Sequence, residues 1–321
     1  LTSFIQQDSS LQEKSPFSHV NASLDVNWDW WEIEHSTNDV ASRISTVVDE
    51  NDAVHIAYYH NVNMEIKYAT DESGTWVNET VASGATIGQG YLFGGDNSIA
   101  VDSNGHVHIS FLEDDTTNQL FYANNVNGSW QLSQLHNNAG RQNSIAIDLN
   151  NHIHISSIDP DSNLLKYSYF NGTSWTIEDV DTLSTDSCPT SITAGSNYVH
   201  ISYCAEYPSS GSNLRYTYGS SYTWQTPVYI GSNTVSGNKI ALDSSDVPHI
   251  AVRTDINDVK LLIENSTSAG DFDTIDIDSP NGGGGHSPTI DIDSNDDISI
   301  LYYTNNGIDM AYQEDGVWQS P

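Results

Sequence analysis

The pattern Val/Ile-His-Ile-Ser/Ala recurs along this chain, and its recurrence limits what the chain can fold into. His55, His108, His154, His200 and His249 fill the second place, with Ser299 in the sixth copy, at spacings of 53, 46, 46, 49 and 50 residues. The second copy reads SIAVDSNGHVHISF, then LFYANN, then NGSWQLSQL; the third reads SIAIDLNNHIHISS, then LKYSYF, then NGTSWTIEDV. Each copy holds four short β-patterned runs separated by Asn-Gly and Asp-rich turns. No segment carries a helical period. One such unit cannot bury both faces of its own sheet, whereas a ring of them can. The expected fold is all-β: a β-propeller of four-stranded antiparallel blades, with strands a to d running outward from the axis.

The tryptophans set the blade count. Trp76, Trp130, Trp175, Trp224 and Trp318 open strand d, and Phe272 stands in for the fifth copy. Trp31 occupies the same place one period earlier, in NWDWWEIEH. Seven strand-d starts therefore face six a–b–c sets. The reading is a six-bladed propeller whose ring is closed by residues 28–35, an N-terminal strand d given to the last blade; seven blades is the alternative. Residues 28–321 form the propeller. Residues 1–27 are an extension outside the repeat, polar with isolated Phe4, Ile5, Phe17 and Val20. This segment is expected to be an arm, packed on its own propeller or added to a neighbouring subunit. A head-to-tail contact that does not close would give a filament.

Charge narrows the partners. With 43 acidic residues against 9 basic ones the net charge is −34, which repels nucleic acid and anionic membranes. No run of 18 apolar residues exists, so no membrane span is expected. The polar stretch after Leu1 reads as a mature N-terminus whose export signal has been removed, placing the protein outside the cell or on its surface. Five N-x-S/T sequons begin at Asn21, Asn78, Asn127, Asn171 and Asn265. The two cysteines, Cys188 and Cys204, match no zinc spacing. A three-residue turn at 195–197 would set Cys188 opposite Cys204, within disulfide reach.

The sequences H-I-S-Y, L-x-Y-A-T and G-T-W-x-x-E-T-V resemble a repeat of secreted prokaryotic β-propeller proteins, most of them without an assigned activity. The resemblance covers residues 40–320 and implies a fold rather than a chemistry. The c–d turns at 71–76, 127–130 and 171–175 are similar to degenerate sialidase-type Asp boxes, although the full S-x-D-x-G-x-T-W spacing is not met.

Chemistry is sought where the repeat breaks. The histidines alternate with Val/Ile and are spread around a ring, so they read as packing residues between blades. Asp49, Asp102, Asp148, Asp243 and Asp293 end strand a and read as turn caps. Asp291, Asp293, Asn295 and Asp297 alternate as oxygen ligands and resemble a calcium loop, without the glycine turn and terminal glutamate of an EF-hand. The d–a and b–c loops share one face, usually the binding face of a propeller. They carry Tyr91, His136, Arg141, His286, His60 and Tyr207. Arg43, Arg141 and Arg253 border the same face, where converging guanidiniums would bind a carboxylate bidentately. The expectation is a non-enzymatic module for recognition, adhesion or filament assembly, with a glycan as candidate ligand. No cofactor is required beyond a possible calcium. The alternative is a lyase or sialidase-like glycosidase using His136, Arg141, His286 and Tyr91.

Overall fold

The a–b turn shows why each blade begins as it does. In blade 1 the Asp49 carboxylate accepts the backbone N–H groups of Asn51 (2.9 Å) and Ala53 (2.8 Å). Asp102, Asp148, Asp243 and Asp293 repeat this double cap. Three residues after each aspartate the chain enters the left-handed region, at Asp52, Gly105, Asn151, Asp246 and Asp296. These are the residue types that tolerate it best. The aspartate ring is thus a set of structural caps, as expected. Blade 4 lacks the aspartate, and its turn closes instead through Gly195 N to Tyr198 O.

The computed structural model describes residues 6–8, 28–30, 33, 41–60, 63–83, 97–112, 118–184, 189–205, 214–231, 234–254, 258–265, 270–278, 286–304 and 307–319. Six four-stranded antiparallel sheets follow in chain order. Blade 1 comprises Ala41–Val48, Val54–His60, Glu65–Thr70 and Val77–Ala82 as strands a to d. Blades 2 to 6 span 97–136, 141–182, 190–231, 234–278 and 286–319. The protein is a six-bladed, all-β propeller.

The blades pack face to face in a fixed sense. The histidine side of one blade, here its forward face, meets the Val/Ile side, or rear face, of the next. Ala57, Tyr59, Ile66 and Tyr68 of blade 1 bury against Ile99, Val107, Ile109 and Phe111 of blade 2. Polar bonds repeat around the axis. The Ser45, Ser98, Ser144 and Ser191 hydroxyls accept the N–H of Ile99, Ile145, Ile192 and Ile240 in the following blade, at 3.2–3.3 Å. Each histidine is locked in place. In blades 1 to 4, Nδ1 lies 2.6–2.7 Å from the hydroxyl of Tyr68, Tyr122, Tyr167 or Tyr216. The edge of Trp130, Trp175, Trp224 or Phe272 from the next blade then meets that tyrosine ring.

Ring closure differs from expectation. The outer strand of blade 6 is Val317–Gln319, which folds back onto Tyr312–Glu314 across Asp315-Gly316. Both turn residues have positive φ (52° and 73°), the geometry of a two-residue hairpin. A local hairpin closes with little loop entropy, so it takes the place assigned to residues 28–35. Trp28–Trp30 pairs instead with Gln6–Asp8 in a separate two-stranded sheet. The rest of residues 1–27 lies outside the described residues.

Strand a also departs from a plain ladder. In blades 1, 3, 5 and 6 its register shifts near the start, with Arg43, Gln142 and Gly237 in the left-handed region of the first three. Blade 4 pairs Ala194 with Val199, so its a–b turn is one residue longer than the sequence suggests.

Candidate functional site

The starts of strands a and c and the ends of strands b and d lie at one end of every blade. Arg43 and Arg141 (strand a) and Arg253 (strand b) all fall at that end, one on every second blade. Arg141 is held by its Nε bond to Asn118 Oδ1 (2.7 Å). Burial depresses the Arg253 guanidinium. His60 is buried, and its Nδ1 accepts the Asn63 N–H at 3.1 Å, which makes it a fixture of the b–c turn. His136 ends strand d of blade 2, with Nδ1 accepting the Asn138 N–H at 3.1 Å. Burial, then the charge of Lys166, lowers the His136 pKa, opposed by Asp159 and Asp179. His286 begins strand a of blade 6, three blades away from Arg141. Tyr91, Tyr207 and Cys188 lie outside the described residues.

The fullest constellation at this end was not singled out from the sequence. It lies between blades 3 and 4. Asp181 ends strand d of blade 3 and accepts from both Arg215 Nη1 (2.6 Å) and the Tyr203 hydroxyl (2.7 Å) of blade 4. Arg215 stacks on the Tyr229 ring, 4.4 Å from its centroid, and also donates to the Tyr229 hydroxyl. Tyr229 is 54% exposed. Burial alone would lower the arginine pKa, but the bonds to Tyr229 and Asp181 outweigh it and raise it. The result is a half-exposed tyrosine ring with one face covered by a fixed cation that a carboxylate holds in place. Ion pairs recur at related places, Lys166–Asp179 in blade 3 and Lys260–Asp276 in blade 5, both at 2.5 Å. The signal was in the sequence as I-K-Y, L-K-Y, L-R-Y and V-K-L. Four of the nine basic residues (Lys67, Lys166, Arg215 and Lys260) stand at this one place in strand c.

The proposed calcium ligands are occupied otherwise. Asp293 caps its turn, and Asp297 accepts the Asp315 and Gly316 N–H groups. Asp291 accepts the Ile292 N–H, and burial raises its pKa. Among the described residues no three His, Cys, Asp or Glu side chains converge on one point, so the calcium expectation finds no ligand set there. Also among the described residues, no helix is long and apolar enough to cross a membrane.

No protein-family model and no curated protein matches this chain. Solved structures do. The BP39L lectin from Burkholderia pseudomallei is similar at a TM-score of 0.68 and 11% identity, over 87% of this chain and 83% of that one. The six-bladed Aleuria aurantia lectin is similar at 0.57 and 13% identity, over 87% and 94%. A polysaccharide lyase, the PL25 ulvan lyase, is similar at 0.59 and 14% identity, over 89% and 82%. At such identities the likeness establishes the propeller fold.

Proposed function

We propose that this protein is an extracellular carbohydrate-recognition module that binds neutral glycans in the groove between blades 3 and 4. The observation that carries this reading is the Arg215–Tyr229–Asp181 constellation. The half-exposed ring offers the face opposite Arg215 for stacking on the apolar face of a sugar, while the guanidinium and carboxylate of the same cluster match hydroxyl acceptors and donors at its rim. The net charge of −34 selects against polyanionic chains and favours neutral ones. The lectin folds named above support the reading, since propellers of this shape serve sugar recognition there. The test is retention on immobilised neutral, uronate and sulfated glycans, with Tyr229→Ala and Arg215→Ala alongside. A neutral glycan should be retained, and each variant should weaken retention at least about tenfold, equivalent to about 1.4 kcal/mol. Unchanged retention in both variants would reject this groove.

A second reading is a polysaccharide lyase centred on His136. Its support is the His136 imidazole at the end of strand d of blade 2, whose pKa is lowered by burial and by the charge of Lys166. Release of unsaturated sugars from a uronate polymer, abolished in His136→Ala, would favour it over simple binding.

A further inference from the structure

The ring has a seam. The inner strands of neighbouring blades touch from blade 1 through blade 6, but Ala41–Val48 of blade 1 and His286–Ile292 of blade 6 lack that packing. On the blade 6 side strand b shows the same break, whereas in blade 1 the rear-face Ile56 and Tyr58 are buried. In blades 2, 3 and 4 strand b is buried on both faces. In blade 6, Ile298, Ile300, Tyr302 and Thr304 are buried on the rear face, while Ser299 and Leu301 on the forward face are only half-buried. Ile308 in the adjoining strand is 74% exposed. Across the seam, Ile44 and Val48 on the rear face of blade 1 are 43% and 39% exposed. The turn-to-turn bonds that join other blades, such as Ser244 to Asp296 (2.7 Å), have no counterpart between Ser294 and Asp52 among the described residues.

One residue from outside the six blades already sits here. Ile33 packs with Val54, Ile56, Tyr58, Ala69 and Trp76 on the rear face of blade 1, and its carbonyl accepts from Asn78 Nδ2 at 3.2 Å. In the other five contacts this face is covered by the preceding blade. Ile33 follows Trp31, which lies one period before Trp76. The sequence therefore places Ile33 in the strand d of a sheet preceding blade 1. Trp28–Trp30 and Gln6–Asp8 supply two strands next to it. An isolated two-stranded sheet is marginal without a further strand or a packing partner. The 19 residues between those strands (9–27) are long enough for two more strands of ordinary length.

We propose that the seam is a docking surface whose occupant is the chain's own segment 1–40, seated as an incomplete seventh sheet between blades 6 and 1. The forward face of blade 6 takes an apolar rear-type surface, as the forward faces of blades 1 to 5 do. This interaction is separate from the glycan groove between blades 3 and 4.

The test is thiol labelling at the seam. Ile308→Cys in the full chain is expected to react at least about tenfold more slowly than a free thiol, at a rate independent of protein concentration. Adding Ile33→Glu should restore fast labelling. Fast labelling without Ile33→Glu overturns the proposal, and so does protection that persists with it. Protection that disappears on dilution also overturns it, because the occupant is then the segment of a second copy. If Ile33→Glu does not fold, hydrogen exchange on the unmodified chain decides. Amides of 6–8 and 28–30 protected to the level of blade 6 support the proposal; exchange at the open-chain rate overturns it.

Discussion

His154 and Tyr167 are joined by a 2.7 Å hydrogen bond inside blade 3, while the far nitrogen of the same imidazole stands 3.5 Å from Asp148. A carboxylate beside Nε2 selects the tautomer with its proton there, so Nδ1 accepts the tyrosine hydroxyl. Burial brings the His154 pKa down to about 4, against a weaker pull upward from Asp148. His200 is likewise brought down to about 4 by burial.

The sign of the pH dependence follows. A histidine depressed on folding contributes stability that is complete above the unfolded value near 6.5 and is lost as pH falls through about 4. Each of these two is worth on the order of 3 kcal/mol across that window. Asp148, whose pKa is lowered, loses its contribution in the same direction at more acid pH. Thermal melts between pH 7 and pH 4 should show a steadily falling midpoint. A midpoint that is flat across this range would refute the assignment.

Tyr167→Phe removes the hydroxyl but keeps the ring packed on Trp224. It leaves His154 Nδ1 buried without that donor, at a cost of about 1–3 kcal/mol. Urea denaturation should show a lower midpoint with an unchanged slope.

Glu178 bridges blades 3 and 4, accepting the Tyr222 N–H at 2.9 Å and the Trp224 Nε1–H at 3.2 Å. Glu178→Ala should cost about 1–3 kcal/mol. Because the lost bonds hold the strand-d end of blade 4, hydrogen exchange should rise first around residues 222–225.

Gly140 has no room for a side chain. A Cβ there would stand 2.6 Å from the Gln119 carbonyl oxygen and 2.7 Å from Leu112 Cδ1. Gly140→Ala should therefore destabilise by about 1–3 kcal/mol, and it should also perturb Arg141, the next residue. Urea midpoints of the variant and parent chains check this.

The expected Cys188–Cys204 bond rested on a three-residue turn that blade 4 does not have: Ala194 pairs with Val199 and Thr190 with Tyr203, and Cys204 is a free thiol. In blades 1, 3 and 6 the residues at the same repeat places do pair, Ser42 with Tyr59, Arg141 with Ile158 and His286 with Tyr303, but across a bulge. Its positive-φ residue in blades 1 and 3, Arg43 or Gln142, is replaced in blade 4 by Pro189, whose ring forbids that conformation. Cys204 itself is buried at the end of its strand. A maleimide count on the unreduced protein in denaturant decides the matter: no reactive thiol would support the bond. Two reactive thiols before reduction would reject the bond.

Much of this molecule was legible because its information is local and periodic. The aspartate caps, the histidine positions and the strand-d tryptophans follow from residue types that recur at fixed places in each copy. One copy read correctly predicts the others. The roles of His60 and Asp297 were harder to see, since whether a polar atom faces solvent or a nearby turn depends on backbone geometry. The Arg215 constellation escaped for a different reason. Asp181 and Arg215 are 34 residues apart and belong to different blades, so their meeting is a product of how two sheets stack.

Repetition of local residue patterns defines the unit, a four-stranded blade with its core on both faces, and favours six copies of it over seven. How blade 6 is completed was settled by the packing of the chain in three dimensions. Periodicity is silent at the ends of a repeat, where the next copy is missing and a local hairpin competes with a distant strand. At Asp315-Gly316 the hairpin wins because it closes the shorter loop. That choice leaves Trp28–Trp30 paired with Gln6–Asp8 and Ile33 packed on the rear face of blade 1.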